Sequence, residues 1–218
     1  LSSTDVQEVI QKRLLDKNDE GAQLLSEFYM KEKETLRTLF RFVHGGKDIQ
    51  FKDREQFVLS YPFQAYQYNL LQQGLRGLSE HNAFMGRHVS RGERSMLEIF
   101  QDVAKSLKDE ELFCWATFDR MFNGIRETLN TALLSAVNVA ERNLANPLAV
   151  KILKILLLVK YVKDFKATVE HLKVLLISSL DMDLSKLENE IIEALNVLEH
   201  QTYIQKNGQV YEYLTNEE

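Results

Sequence analysis

TYIQKNGQVYEYL, residues 202–214, reads as two short β-prone runs flanking Asn207-Gly208. An Asn-Gly pair tolerates positive φ at both positions and is the strongest short-range signal for a two-residue hairpin, here centred on those two residues. Working back from it, Leu184–His200 repeats apolar residues at helical spacing, with Ile191, Ile192, Leu195 and Leu198 on the expected core face and Asp183 or Ser185 as the opening cap. Before it, Thr168–Ile177 and Leu148–Val162 read as two more helices, with Asp164 ahead of the former. Three helices closed by a hairpin form the pattern of a winged helix.

Asn146-Pro147 is the clearest boundary, because proline suits the first turn of a helix, where its missing N–H costs nothing. The sequence therefore divides into a helical domain, 1–146, and a winged-helix domain, 147–218. The fold class expected is mainly α, a helical bundle followed by a winged-helix unit with one C-terminal β-hairpin. Within the first domain, Thr4 and Gln7 suggest a capping box ahead of Val6, Ile10 and Leu14. A long helix is expected from about Glu20 to Val43, ended by Gly45-Gly46. Ile49–Phe51 reads as a short extended piece. Arg54–Ser60 reads as a turn or two of helix stopped before Pro62. Gln64 to about Leu78 buries Tyr68, Leu71, Leu75 and Leu78. The aromatics of Leu112–Asn123 read as core, and a further helix spans about Ile125–Leu144.

The 218 residues are 44% apolar and 27% charged, an ordinary composition for a packed chain. Nine glycines and only two prolines favour long helices. A net charge of −5 argues against a dedicated nucleic-acid binder. The single cysteine, Cys114, excludes an internal disulfide, suits a reducing compartment and is expected as a small buried thiol. The start, LSSTDVQEV, has neither Met nor a signal pattern and looks like an excised or processed piece. The longest apolar run, Leu148–Val162, carries Lys151, Lys154 and Lys160, so it is a core helix and no membrane span. A cytoplasmic location is the expectation.

A second stretch, SRGERSMLEIF at 90–100, carries the one charge pattern that asks for a ligand. Ser90 and Glu93 stand in the relation of a capping box, opening a helix that buries Met96, Leu97, Phe100, Val103, Ala104 and Leu107. Arg91 and Arg94 fall in its first turn and a half and, being three apart, share a side. Cations there oppose the helix dipole at about 0.3–1 kcal/mol each, and a phosphate would relieve them. The alternative is two solvated arginines with Glu93 as local partner.

Other chemistry is sparse. There is no phosphate-binding G-x-x-x-x-G-K-S/T loop, no G-x-G-x-x-G, no G-x-S-x-G, no H-E-x-x-H and no cysteine cluster. The five histidines lie on different elements, and His81, His88 and Glu80 match no metal-ligand spacing. By itself the chain is not expected to be an enzyme. Its third winged helix sets Lys186 against Glu188, Glu190, Glu193 and Glu199, a face that a phosphate backbone would repel, so DNA is not the expected partner.

YPFQAYQYNLLQQGL (61–75) followed by HNAFMGRHVSRGERSMLEIFQ (81–101) resembles the segment after the nucleotide-binding core in AAA+-type P-loop ATPases. The likeness is to the large P-loop ATPases of BREX phage-exclusion systems, the BrxC/PglY group. It is motif-specific over Tyr61–Gln101 and extends in order and spacing along most of the chain. The resemblance implies that residues 1–146 form a lid and that the ATPase core precedes this piece in the same chain. ATP and Mg would then belong to the parent protein, with no cofactor held by this piece alone. It implies Arg94, with Arg91 second, as the residue that senses bound nucleotide, and other defence-system proteins as partners. The rival reading is a winged-helix adaptor for DNA or protein with no link to nucleotide.

Overall fold

The computed structural model describes residues 3–43, 49–86, 92–215 and 218; at 3–4 and 92–95 it describes the backbone alone. The molecule is mainly helical and ends in a two-stranded antiparallel hairpin. Helix α1 spans Ser3–Leu14, α2 Asp19–Leu39, α3 Arg54–Ser60, α4 Ala65–Glu80 and α5 Gly92–Ser106. After 3-10 turns at Phe118–Gly124 and Arg126–Thr128 come α6 (Thr131–Asn143), α7 (Pro147–Val159), α8 (Val169–Leu176) and α9 (Leu184–His200). Strands β1 (Ile204–Asn207) and β2 (Val210–Tyr213) close the chain.

Most helix starts follow from a side chain that accepts one of the free N–H groups of the first turn. Asn18, Asp53, Asn130, Asn146, Thr168 and Asp183 cap α2, α3, α6, α7, α8 and α9 in this way. Thr168 rather than Asp164 therefore opens α8. Gln64 and Gln67 form a reciprocal capping box at α4. Helix α1 already includes Thr4, so Thr4 does not stand at its N-cap as expected. The side chains of the expected Ser90–Glu93 box, and the glycine stop at Gly45-Gly46, lie outside the described residues.

Three expected elements are corrected. Helix α2 ends at Leu39, four residues before Val43. Phe40 and Phe42 are both buried, Phe40 edge-on to Trp115 and Phe42 edge-on to Tyr66. Two positions apart on a helix they would point to nearly opposite sides, so the chain unwinds to bury both. No strand forms at Ile49–Phe51; there the Gln50 amide donates to the free Phe40 carbonyl at 3.0 Å. The helix expected from Ile125 begins only at Thr131. The backbone before it is held across the loop after α4, with Met85 N–H donating to Thr128 O and Asn130 N–H to Ala83 O, both at 2.8 Å.

The hairpin forms where expected, shifted by one residue. Asn207 pairs with Val210, leaving Gly208 and Gln209 as the two turn residues. Gly208 has φ +62° while Asn207 stays in the strand, the pattern of a turn with glycine at its first central position. This register turns Ile204, Tyr211 and Tyr213 inward. It also lets Tyr211 N–H donate to Ala167 O at 3.0 Å, tying the hairpin to the segment between α7 and α8.

Helix α9 packs on both α7 and α8, and the hairpin packs on α7 and α9. Helix α9 buries Leu187, Ile191, Ala194, Leu195 and Leu198. Ile192, expected in the core, is 40% exposed because it sits one hundred degrees around from that stripe. Helix α7 is buried nearly all round, since it also faces α4, α6 and the Phe118–Gly124 turn.

Candidate functional site

Helix α5 carries the stretch singled out by charge. Arg94 falls in its first turn, but its side chain, and Arg91 as a whole, lie outside the described residues. What is described is how firmly the rest of the helix is held. Met96, Ile99, Phe100 and Val103 are buried. The Phe100 ring stacks on Tyr68 at 4.7 Å and meets Phe63 edge-on at 4.5 Å. On the opposite flank Gly124 lets the Phe118–Gly124 turn come so close that an added Cβ would stand 2.6 Å from the Ile99 side chain. The aromatics of 61–68, half of the motif-bearing segment, are thus the seat of α5.

The other half of that segment, α4, meets α7 backbone to backbone. A Cβ at Gly74 would lie 2.5 Å from Leu158 O on α7, and one at Gly77 would lie 2.7 Å from the Tyr161 Cβ and 2.9 Å from its O, just past the end of α7. His81, at the end of α4, stacks flat on Tyr161 at 3.8 Å and hydrogen-bonds Gly77 O at 2.8 Å. Trp115 adds a second tie. Its backbone N–H donates to Ser178 O at 2.8 Å and its indole N–H to Ile177 O at 2.7 Å. A third is Tyr213, whose buried hydroxyl donates to Leu133 O.

Where these ties leave a gap, a cleft of about 530 Å³ opens between the end of α5, the start of α7 and α9. Glu190 and Glu193 stand on its α9 wall and Lys151 on its α7 wall. Arg120 is held at its edge by Ser106 Oγ at 3.1 Å and Glu110 at 3.3 Å. Cys114, expected as a small buried thiol, is half-buried at the same cleft. Burial pushes its thiol up, and Glu110, Glu111 and Asp181 add to the shift, so it is held as the thiol, a poor nucleophile.

No family model matches the chain, and no solved structure matches it.

The remaining described histidines are structural or surface groups. His171 is buried, its two ring nitrogens 2.6 and 2.7 Å from the carbonyl oxygens of Lys166 and Val43. His200 ends α9 at the surface, while His44 and His88 lie outside the described residues. Among the described residues no group of three His, Cys, Asp or Glu side chains could hold a metal ion. No described helix is long and apolar enough to cross a membrane. Sequence reading missed two buried polar features. Gln11 donates to Ser60 Oγ at 2.8 Å, fastening α1 to α3. Asp119 buries one carboxylate oxygen without a hydrogen-bond partner. Neither carries a local signal: Gln11 meets a partner on another helix, and Asp119 is buried by the fold around its 3-10 turn.

Proposed function

We propose that this chain is the lid and winged-helix region of a P-loop ATPase of the BREX phage-exclusion type, non-catalytic by itself. It closes over nucleotide bound by a core elsewhere in the parent protein and passes that movement to the winged-helix unit. The observation that carries the reading is the contact of α4 with α7 at Gly74 and Gly77. Within Tyr61–Gln101, the segment with the family resemblance, Phe63 and Tyr68 seat α5 and Gly74 brings α4 against the backbone of α7. A displacement of α5 by nucleotide is therefore delivered to α7–α9 as rigid-body motion, since close-packed interfaces shift as units. Arg94, and second to it Arg91, supply positive charge at the helix end where a phosphate group is favoured. The exposed side of α9, with Glu190, Glu193 and Glu199 beside Ile192, suits a protein surface better than a phosphate backbone.

The test is Arg94→Ala. In the full-length protein it lowers ATP turnover about 100-fold or more, the usual loss when a charge clamp on a developing anion is removed. Arg94→Lys does not restore it, because an ammonium lacks the guanidinium fork. In the present chain Arg94→Ala leaves the urea unfolding midpoint unchanged or slightly raised. Unchanged turnover in the parent, or a destabilisation of the chain by more than about 2 kcal/mol, would make Arg94 a structural brace and end the proposal.

A further inference from the structure

Lys17 lies in the turn between α1 and α2, a position that reads in the sequence as an ordinary polar break. In the fold it is half-buried, and its Nζ donates to the carbonyl oxygen of Leu59 at 3.2 Å. No carboxylate pairs with it among the described residues. Lys12, Lys154, Lys160 and Lys173, by contrast, each hold a carboxylate at 2.5–2.9 Å. Lys17 instead borders a cleft of about 380 Å³ walled by Leu14, Leu25, Pro62, Leu107 and Leu112, whose lining also carries Asp16, Lys108, Glu110 and Glu111. An ammonium withdrawn from water without a counter-ion favours the neutral amine, which is the nucleophilic form. Burial accordingly brings Lys17 down to about 8, against a weaker opposing pull from Asp16.

We infer that Lys17 is an acylation site, whose amine accepts an acyl group from an activated donor, an acyl phosphate or a thioester, with the acyl tail resting in this cleft. The neutral amine attacks the carbonyl carbon. A C–N bond forms as the C–O bond to phosphate, or the C–S bond of a thioester, breaks. Phosphate or thiolate departs with the electron pair, and the extra proton on nitrogen passes to water. The amide product keeps one N–H, so it can still donate to Leu59 O, and it removes a charge that has no partner. The leucine walls favour a short hydrocarbon acyl group, and the carboxylates of Asp16, Glu110 and Glu111 disfavour an acidic one.

The experiment treats the whole chain separately with acetyl phosphate and with the acetyl and butyryl thioesters of N-acetylcysteamine, between pH 6.5 and 9.5. Acylation is followed at every lysine by mass spectrometry. With at least one donor class, Lys17 reacts about tenfold faster than the exposed Lys33, and its rate levels off above pH about 8. The butyryl group widens the preference over acetyl, and Lys17→Arg abolishes this label alone. The class of donor that shows the preference identifies the source of the acyl group. A Lys17 rate at or below that of Lys33 with both donors would overturn the inference. So would a preference that survives unchanged in urea, since it would then come from local sequence and not from the cleft.

Discussion

Glu141 is the residue on which charge weighs most. Its carboxylate accepts from both Arg126 amino groups and lies 2.9 Å from Lys154, so three elements meet in one partly buried cluster. The Arg126 guanidinium, aided by Lys154, holds the carboxyl at about 2, well below its usual value near 4.5. Both cations also lie over the Phe122 ring, at 5.9 and 5.6 Å. A carboxyl whose value is depressed by folding contributes stability in full above its unfolded value and loses it as pH falls towards the folded one. Glu141→Gln should therefore cost about 1–2 kcal/mol at pH 7, as charged hydrogen bonds of partial exposure do. The gap between wild type and variant should close between pH 4.5 and 2, seen as converging melting temperatures. A gap that stays constant over that window would mean that Glu141 acts by packing alone.

At the scale of elements, the α4–α7 crossing depends on the absence of two side chains. The Cβ of Gly74→Ala would press on the Leu158 carbonyl, which is backbone inside a buried helix and cannot turn aside. The helices must part, at a cost of about 1–3 kcal/mol, although alanine is the better helix former. Urea unfolding midpoints measure this directly. An unchanged or raised midpoint would show that helix propensity outweighs the contact. The hairpin illustrates the opposite case, an element whose local sequence nearly suffices. Its turn falls one residue later than the Asn207-Gly208 expectation, so each residue of β1 faces a partner two further along β2, and Ile204, Tyr211 and Tyr213 keep to the core face.

For the whole molecule, one apolar cluster runs without a break from Val6 on α1 to Tyr213 on β2. Asn146-Pro147 starts a helix, as the sequence indicates, yet that helix is covered by residues from both sides of it. Separating 147–218 would bare the side of α7 that meets α4, α6 and the Phe118–Gly124 turn. Unfolding should consequently be a single cooperative transition. Fluorescence of Trp115, the only tryptophan, and far-UV dichroism should report coincident midpoints in urea. Two separated midpoints would mean that the Gly74, Trp115 and Tyr213 ties are weaker than the segments they join.

The sequence by itself determined the starts of α2, α3, α4, α7, α8 and α9, the buried faces of α4 and α9 apart from Ile192, and the closing hairpin. Caps and periodicity act within three or four residues, so neighbours along the chain decide them. Tertiary structure alone decided where α2 stops, because burying Phe40 and Phe42 together needs Trp115 and Tyr66 in place. It alone decided that α6 begins late, that α7 is shared, and that Lys17 loses water without gaining a carboxylate. Each of these rests on partners more than twenty residues away, and no pattern in a short window can contain them.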